Sequence, residues 1–139
     1  MNSFASPFAA VLFLTASLTA RAEVPTFEEV VGHGFGERIT QTHQMQAYLQ
    51  ALGEASDRVI VEQIGTSWQG RPLMHAIVTS PENHARLETI KANAQRLGDP
   101  RGLSNTELEG IISDQPAIFW YGGSIHGFEL SGSEGGLKM

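Results

Sequence analysis

Between Thr40 and Ala55 the apolar residues Met45, Tyr48, Leu49 and Leu52 recur at i, i+3, i+4 and i+7. That stripe predicts an amphipathic helix, with Thr40 or Thr42 as its cap, packed on a sheet. Arg58 to Ile64 is rich in β-branched residues and stops at Gly65, and Leu73 to Thr79 is a second short apolar run ended by Ser80-Pro81. Both read as strands. The segment between them, residues 65–72, holds two glycines and a proline, which is turn chemistry, so the two strands are expected to be antiparallel neighbours. Pro81-Glu82 can open a helix reaching about Leu97, stopped by Gly98 and Pro100, and Ser104 with Glu107 forms a capping-box pattern for a helix from Asn105 to Ser113. Ala117 to Tyr121 is continuously apolar, the pattern of a strand buried on both faces, with Trp120 and Tyr121 expected in a sheet core.

A helical crossover over 82–114 leading into a strand at 117–121 predicts an α/β domain. Residues 133–139 read as the start of a helix that is cut short, and the elements available are too few to cover a doubly apolar strand, so the chain is expected to be an N-terminal piece of a larger domain. Val31 to Gly36 is glycine-rich and aperiodic, which predicts a surface arm over residues 23–37 with an exposed His33.

Composition narrows the function. Fifteen acidic against nine basic side chains give a formal charge of −6 without any Lys/Arg cluster, so nucleic acid is not expected as a partner. With no cysteine, histidine and carboxylates are the strong metal ligands available. Phe8 to Leu18 is an apolar stretch of roughly 11 residues followed by Ala20-Arg21-Ala22, too short for the ~20 residues of a membrane span. Residues 1–22 are therefore expected to be a signal peptide of an exported, periplasmic or extracellular protein with no stable membrane anchor.

The residues that carry chemistry follow the apolar run: Gly122-Gly123-Ser124-Ile125-His126-Gly127-Phe128-Glu129. In α/β sheets ligands bind at the carboxyl ends of strands. His126 and Glu129 stand there, and a spacing of three brings both side chains together if the loop makes a helical turn. Imidazole nitrogen and carboxylate oxygen both bind zinc, and a catalytic zinc needs three protein ligands and an open position for water. An isolated H-x-x-E is weak, and its bland counterpart is a surface His beside a solvated Glu. Here the pair follows an apolar strand and is surrounded by Gly122, Gly123, Gly127 and Gly132, which suits a backbone that approaches a ligand closely.

His126-Gly127-Phe128-Glu129-Leu130-Ser131-Gly132 resembles the H-G-N-E-x-x-G segment of the zinc carboxypeptidases, the metallocarboxypeptidase family. Ile64-Gly65-Thr66-Ser67-Trp68-Gln69-Gly70-Arg71-Pro72 is similar throughout to the family's I-G-x-S-x-x-G-R-P turn. The likeness covers roughly residues 38–139 and implies a truncated catalytic domain of a three-layer α/β/α fold with a mixed sheet. It further implies one Zn2+ with His126 and Glu129 as metal ligands, and hydrolysis of the C-terminal bond of peptides or proteins by metal-activated water. The family's third ligand, general base, carboxylate-binding Arg and substrate-covering Tyr come later in its sequence. No catalytic residue is therefore expected within these 139 residues, and the piece is expected to be inactive alone. Phe128 departs from the Asn or Arg usual between the ligands, which puts the subsite preference in doubt.

Ser67 and Arg71 are expected to fix the turn and His75 and His84 to be structural. A serine hydrolase is the rival enzyme class, since Gly122-Gly123-Ser124-Ile125-His126 approaches a nucleophile elbow, but His126 stands where the elbow needs glycine. A third possibility is a peptidase-like module that binds peptide or cell wall without cutting.

Overall fold

The computed structural model describes residues 23–139, so the expected signal peptide lies outside the described residues. Its elements in chain order are α1 (Phe27–Val31), α2 (Thr42–Ala55), β1 (Val59–Thr66), β2 (Pro72–Val78), α3 (Pro81–Ala85), α4 (Leu87–Gly98), α5 (Asn105–Asp114) and α6 (Leu130–Lys138). β1 and β2 form a two-stranded antiparallel sheet with Val59 opposite Val78 and Glu62 opposite His75, interrupted by a bulge between Gln63 and Gly65. Helices combined with this hairpin make the chain α/β in character.

The hairpin turn is closed by Ser67. Its N–H donates to the Arg71 carbonyl at 2.7 Å, its hydroxyl accepts from the Arg71 N–H at 3.0 Å, and Gly70 takes a positive φ of 75°. The structural role expected of Ser67 is the one observed. α2 packs across β1 where Gly53 leaves room, since a Cβ there would stand 3.2 Å from Val61 Cγ2. On the neighbouring strand His75 Nε2 meets Glu62 Oε2 at 3.0 Å, a cross-strand partner that spacing along the sequence does not reveal.

The expected arm is in fact the centre of the core. Thr26 and Glu29 cap α1 reciprocally, and Phe27 and Val31 are buried with Tyr48 of α2, against Val30, Phe35, Leu52 and Leu137. Phe35 stacks on Phe27 at 3.9 Å between centroids, and the Tyr48 ring meets Phe27 edge-on at 5.2 Å. His33, expected to be exposed, is only 4% exposed, packed edge-on against Phe27 with Nδ1 donating to the Gly34 carbonyl. Three aromatic rings converge on Phe27, and that burial outweighs the turn-forming tendency of the glycines around them.

The expected helix over 81–97 is divided at Arg86, whose φ of −117° breaks the helical path between α3 and α4. The break aims its guanidinium at the C-terminus of α5, where it donates to Asp114 Oδ2 at 2.7 Å and to the Asp114 carbonyl at 2.8 Å. A cation there also complements the negative end of the helix. Ile90 and Ile111 are buried on α4 and α5. The capping box of α5 forms as its sequence predicts, with Glu107 accepting from the Ser104 N–H at 2.9 Å.

The strand expected at 117–121 does not form. That segment has no ladder partner, and Ile118, Phe119 and Trp120 are exposed at 64%, 80% and 75%. Continuous apolarity specifies a demand for cover on two faces but does not supply it. Among the described residues only β1 and β2 pair, so the crossover to a third strand and the core placement of Trp120 and Tyr121 are corrected.

Two outcomes follow. Phe27→Ala removes the ring on which the core converges and is expected to cost about 3 kcal/mol or more in urea unfolding; a loss under about 1 kcal/mol would contradict a core centred on α1. The Ser104 N–H, and then its hydroxyl, hold the Glu107 carboxyl below its ordinary value of 4.5. A carboxyl lowered on folding contributes its stability in full above 4.5 and loses it as pH falls through the folded value. Amide protection in α5 should therefore fall as pH drops below 4.5, and Ser104→Ala, which removes the hydroxyl but keeps the backbone N–H, should flatten that fall in part. An undiminished drop in the variant would count against the cap.

Candidate functional site

The loop after Tyr121 is pinned to α6 by close backbone approach. A Cβ on Gly123 would lie 2.7 Å from the carbonyl carbon and oxygen of Gly132, and one on Gly132 would lie 2.7 Å from the Ser124 nitrogen. Neither glycine can carry a side chain without moving the main chain. Gly136, one helical turn after Gly132, faces the Tyr121 ring, which a Cβ there would enter. Tyr121 closes the arrangement by donating its hydroxyl to the Gly132 carbonyl at 2.6 Å. Gly123 and Gly132 thus serve contact between two pieces of backbone, while a Cβ on Gly127 would meet nothing within 4 Å and one on Gly122 only the Trp120 indole nitrogen at 3.5 Å.

Ser124 is the hinge of this loop. It is the one non-glycine among the described residues with a positive φ, 54°, a conformation costing about 1–2 kcal/mol for a residue with a Cβ. Its hydroxyl compensates by donating to the Glu129 carbonyl at 2.5 Å and accepting from the Ser133 N–H at 2.9 Å. A hydroxyl engaged on both sides by the first turn of α6 is a fastening, and this tells against the nucleophile of the rival serine-hydrolase reading.

The consequence is the position of His126 and Glu129. The Glu129 N–H donates to the His126 carbonyl at 3.0 Å, closing a hydrogen-bonded turn rather than a turn of helix, and Glu129 then becomes the N-cap of α6. His126 Nδ1 stands 2.8 Å from Glu129 Oε1, and the His126 N–H reaches Glu129 Oε2 at 3.3 Å. Phe128 lies parallel to the imidazole, 6° between planes and 5.6 Å between centroids. The side chains of His126 and Glu129 are 63% and 45% exposed.

An ion pair so exposed is worth about 0–1 kcal/mol, so folding does not explain why a strained loop holds these groups together. Imidazole nitrogen and carboxylate oxygen are both donors that zinc takes. Two ligands bound to one zinc at about 2.0–2.2 Å with a tetrahedral angle stand about 3.4 Å apart, about 0.6 Å beyond the observed 2.8 Å, at which the two groups hydrogen-bond to each other, so holding an ion requires that bond to open. The pair supplies two donors, and no group of three His, Cys, Asp or Glu residues able to hold an ion occurs among the described residues.

On its other face α6 is fastened to the N-terminal region. Glu134 Oε1 accepts from the Thr40 hydroxyl at 2.5 Å and Oε2 from the Gly36 N–H at 2.8 Å, while Leu137 packs into the Phe27 cluster. Thr40 and His33 are each 4% exposed, with His33 Nε2 3.4 Å from the Thr40 hydroxyl. The Thr40 hydroxyl chiefly, with the Gly36 N–H, keeps the Glu134 carboxyl below 4.5. The sequence pointed neither to Glu134 nor to the fastening roles of Ser124 and Tyr121; the signal that could have found them is the i, i+4 pair Gly132 and Gly136, which marks a helix face closely approached.

A comparison with protein families matches residues 45–139 of this chain to the zinc carboxypeptidase family. No curated protein and no solved structure matches the chain.

The glycines of α6 give a test whose sign differs by position. Alanine is favoured over glycine in a helix by about 1 kcal/mol. Gly135→Ala, whose Cβ would meet only Tyr121 Oη at 3.7 Å, should raise amide protection in α6, whereas Gly132→Ala should lower it despite the same gain in propensity. Equal effects at the two positions would contradict the backbone contact.

Proposed function

Because the chain belongs to the zinc carboxypeptidase family, we propose that His126 and Glu129 are metal ligands of a zinc-dependent carboxypeptidase that removes the C-terminal residue of peptides or proteins. The family is zinc-dependent in general, and its membership supports a hydrolase acting on peptide substrates. The observation that carries the assignment to these two residues is the 2.8 Å approach of Nδ1 to Oε1 in an exposed loop held by strain and glycine contacts. Zinc bound there would polarise a peptide carbonyl and lower the pKa of its water.

This chain's own residues would hold the ion and orient it. The Ser124 hydroxyl fixes the Glu129 carbonyl, the His126 N–H steadies the second carboxylate oxygen, and Phe128 lies along the imidazole ring. Phe128, 81% exposed, offers an apolar face beside the ligands where the family more often has a polar side chain. A catalytic site also needs a third ligand and a base for the attacking water, which none of the described residues brings to the pair. Alone, the chain is proposed to bind zinc weakly and to hydrolyse no peptide.

The three-layer α/β/α architecture belongs to the same proposal. The run from Ile118 to Tyr121 forms no strand here, and its exposed apolar side chains are ones that a larger sheet would bury. Export remains proposed from the sequence of residues 1–22; no helix among the described residues is long and apolar enough to cross a membrane.

In a zinc titration followed by calorimetry, the unaltered chain should show a single site, and His126→Ala and Glu129→Ala should each abolish it. A site that survives in both variants would overturn the assignment.

A further inference from the structure

α6 is a poor helix by itself. It has nine residues, three of them glycine, a deficit of about 3 kcal/mol against alanine, and isolated helices shorter than ~12–15 residues are marginal in water even without that deficit. Its order must come from what it touches. Gly132 and Gly136 face the loop, and on the opposite side Glu134 and Leu137, three residues apart, face the N-terminal region. The polar half of that second contact spans nearly the whole chain, joining Glu134 to Gly36 and Thr40 across 98 and 94 residues.

We propose that Glu134 is a positioning residue for the metal pair: its carboxylate, held by the Thr40 hydroxyl and the Gly36 N–H, fixes α6, and α6 in turn fixes Glu129 opposite His126. The inference rests on the zinc reading above and adds a residue that contacts neither ligand. Three features support it. Both carboxylate oxygens are engaged, so the side chain is held in orientation as well as in place. The Thr40 partner is buried, where a directed hydrogen bond is less exposed to competition from water. Glu129 caps the very helix that Glu134 anchors, and Ser133, next to Glu134, donates to the Ser124 hydroxyl that grips the Glu129 carbonyl. Displacement at Glu134 thus reaches the ligands through one turn of helix and one serine.

The test combines zinc affinity with residue-resolved amide exchange in the 139-residue chain and in Glu134→Ala, Glu134→Gln, Thr40→Val and His126→Ala. Glu134→Ala should weaken zinc binding about tenfold or more, the range for residues that orient ligands. Glu134→Gln keeps one accepting oxygen for Thr40 and should recover part of the loss. Thr40→Val removes only the hydroxyl donor, so it should weaken binding even if Glu134→Ala fails to fold, and in a folded Glu134→Ala background it should add little. Without metal, protection at the Glu129 and Ser133 amides should fall in Glu134→Ala and Thr40→Val while the β1–β2 amides keep theirs.

Unchanged affinity in Thr40→Val, with zinc lost from His126→Ala, would overturn the positioning role. So would a loss of protection that strikes the hairpin and α6 equally, which is the mark of a merely structural residue. If His126→Ala retains the ion, the zinc reading fails by itself and exchange decides about Glu134: unchanged protection at Glu129 and Ser133 overturns the anchoring.

Discussion

The candidate site depends on a contact between two stretches of backbone. Gly123 and Gly132 lie so close that a Cβ on either would collide with the main chain of the other segment. This contact fixes where the loop leaves Tyr121 and where α6 begins, and the two candidate ligands occupy the interval between those points. Glycine permits the approach and weakens the helix that makes it. The helix must therefore be held from both sides, by Tyr121 and Ser124 on one and by Glu134 and Leu137 on the other. Local sequence, long-range packing and the geometry of the site are in this way one problem.

The energies separate what stabilises the fold from what the fold stabilises. Burial of Phe27, Val31 and Tyr48 is worth kilocalories per side chain, whereas the exposed His126–Glu129 pair returns at most about 1 kcal/mol. Ser124 adds backbone strain in the same loop. A region that consumes stability while presenting an imidazole and a carboxylate to solvent supports the metal site proposed above, and the family to which the chain belongs uses zinc in general.

Local signals survived well from sequence to structure. The Ser104–Glu107 capping box, the stripe centred on Tyr48 and the turn from Gly65 to Pro72 each encode their element within a few residues, and each appears. The closeness of His126 and Glu129 was legible for the same reason, although a hydrogen-bonded turn and not the expected turn of helix brings them together. What failed was information held between distant residues. The run from Ala117 to Tyr121 says what it needs but not what answers it, and it stays unpaired. The region around His33 resembled a loose arm because its partners, Tyr48, Leu137 and Glu134, lie up to about a hundred residues away. Even there a local signal was available: Thr26 and Glu29 are a capping box directly before an apolar pair.

A nitrogen-15 spectrum of the imidazole rings, recorded as one equivalent of zinc is added, decides whether the loop after Tyr121 holds the ion. His126 Nδ1 alone should move to the position of a metal-bound nitrogen, while the rings of His33, His43, His75 and His84 stay where they were. A His126 resonance untouched by zinc would contradict it.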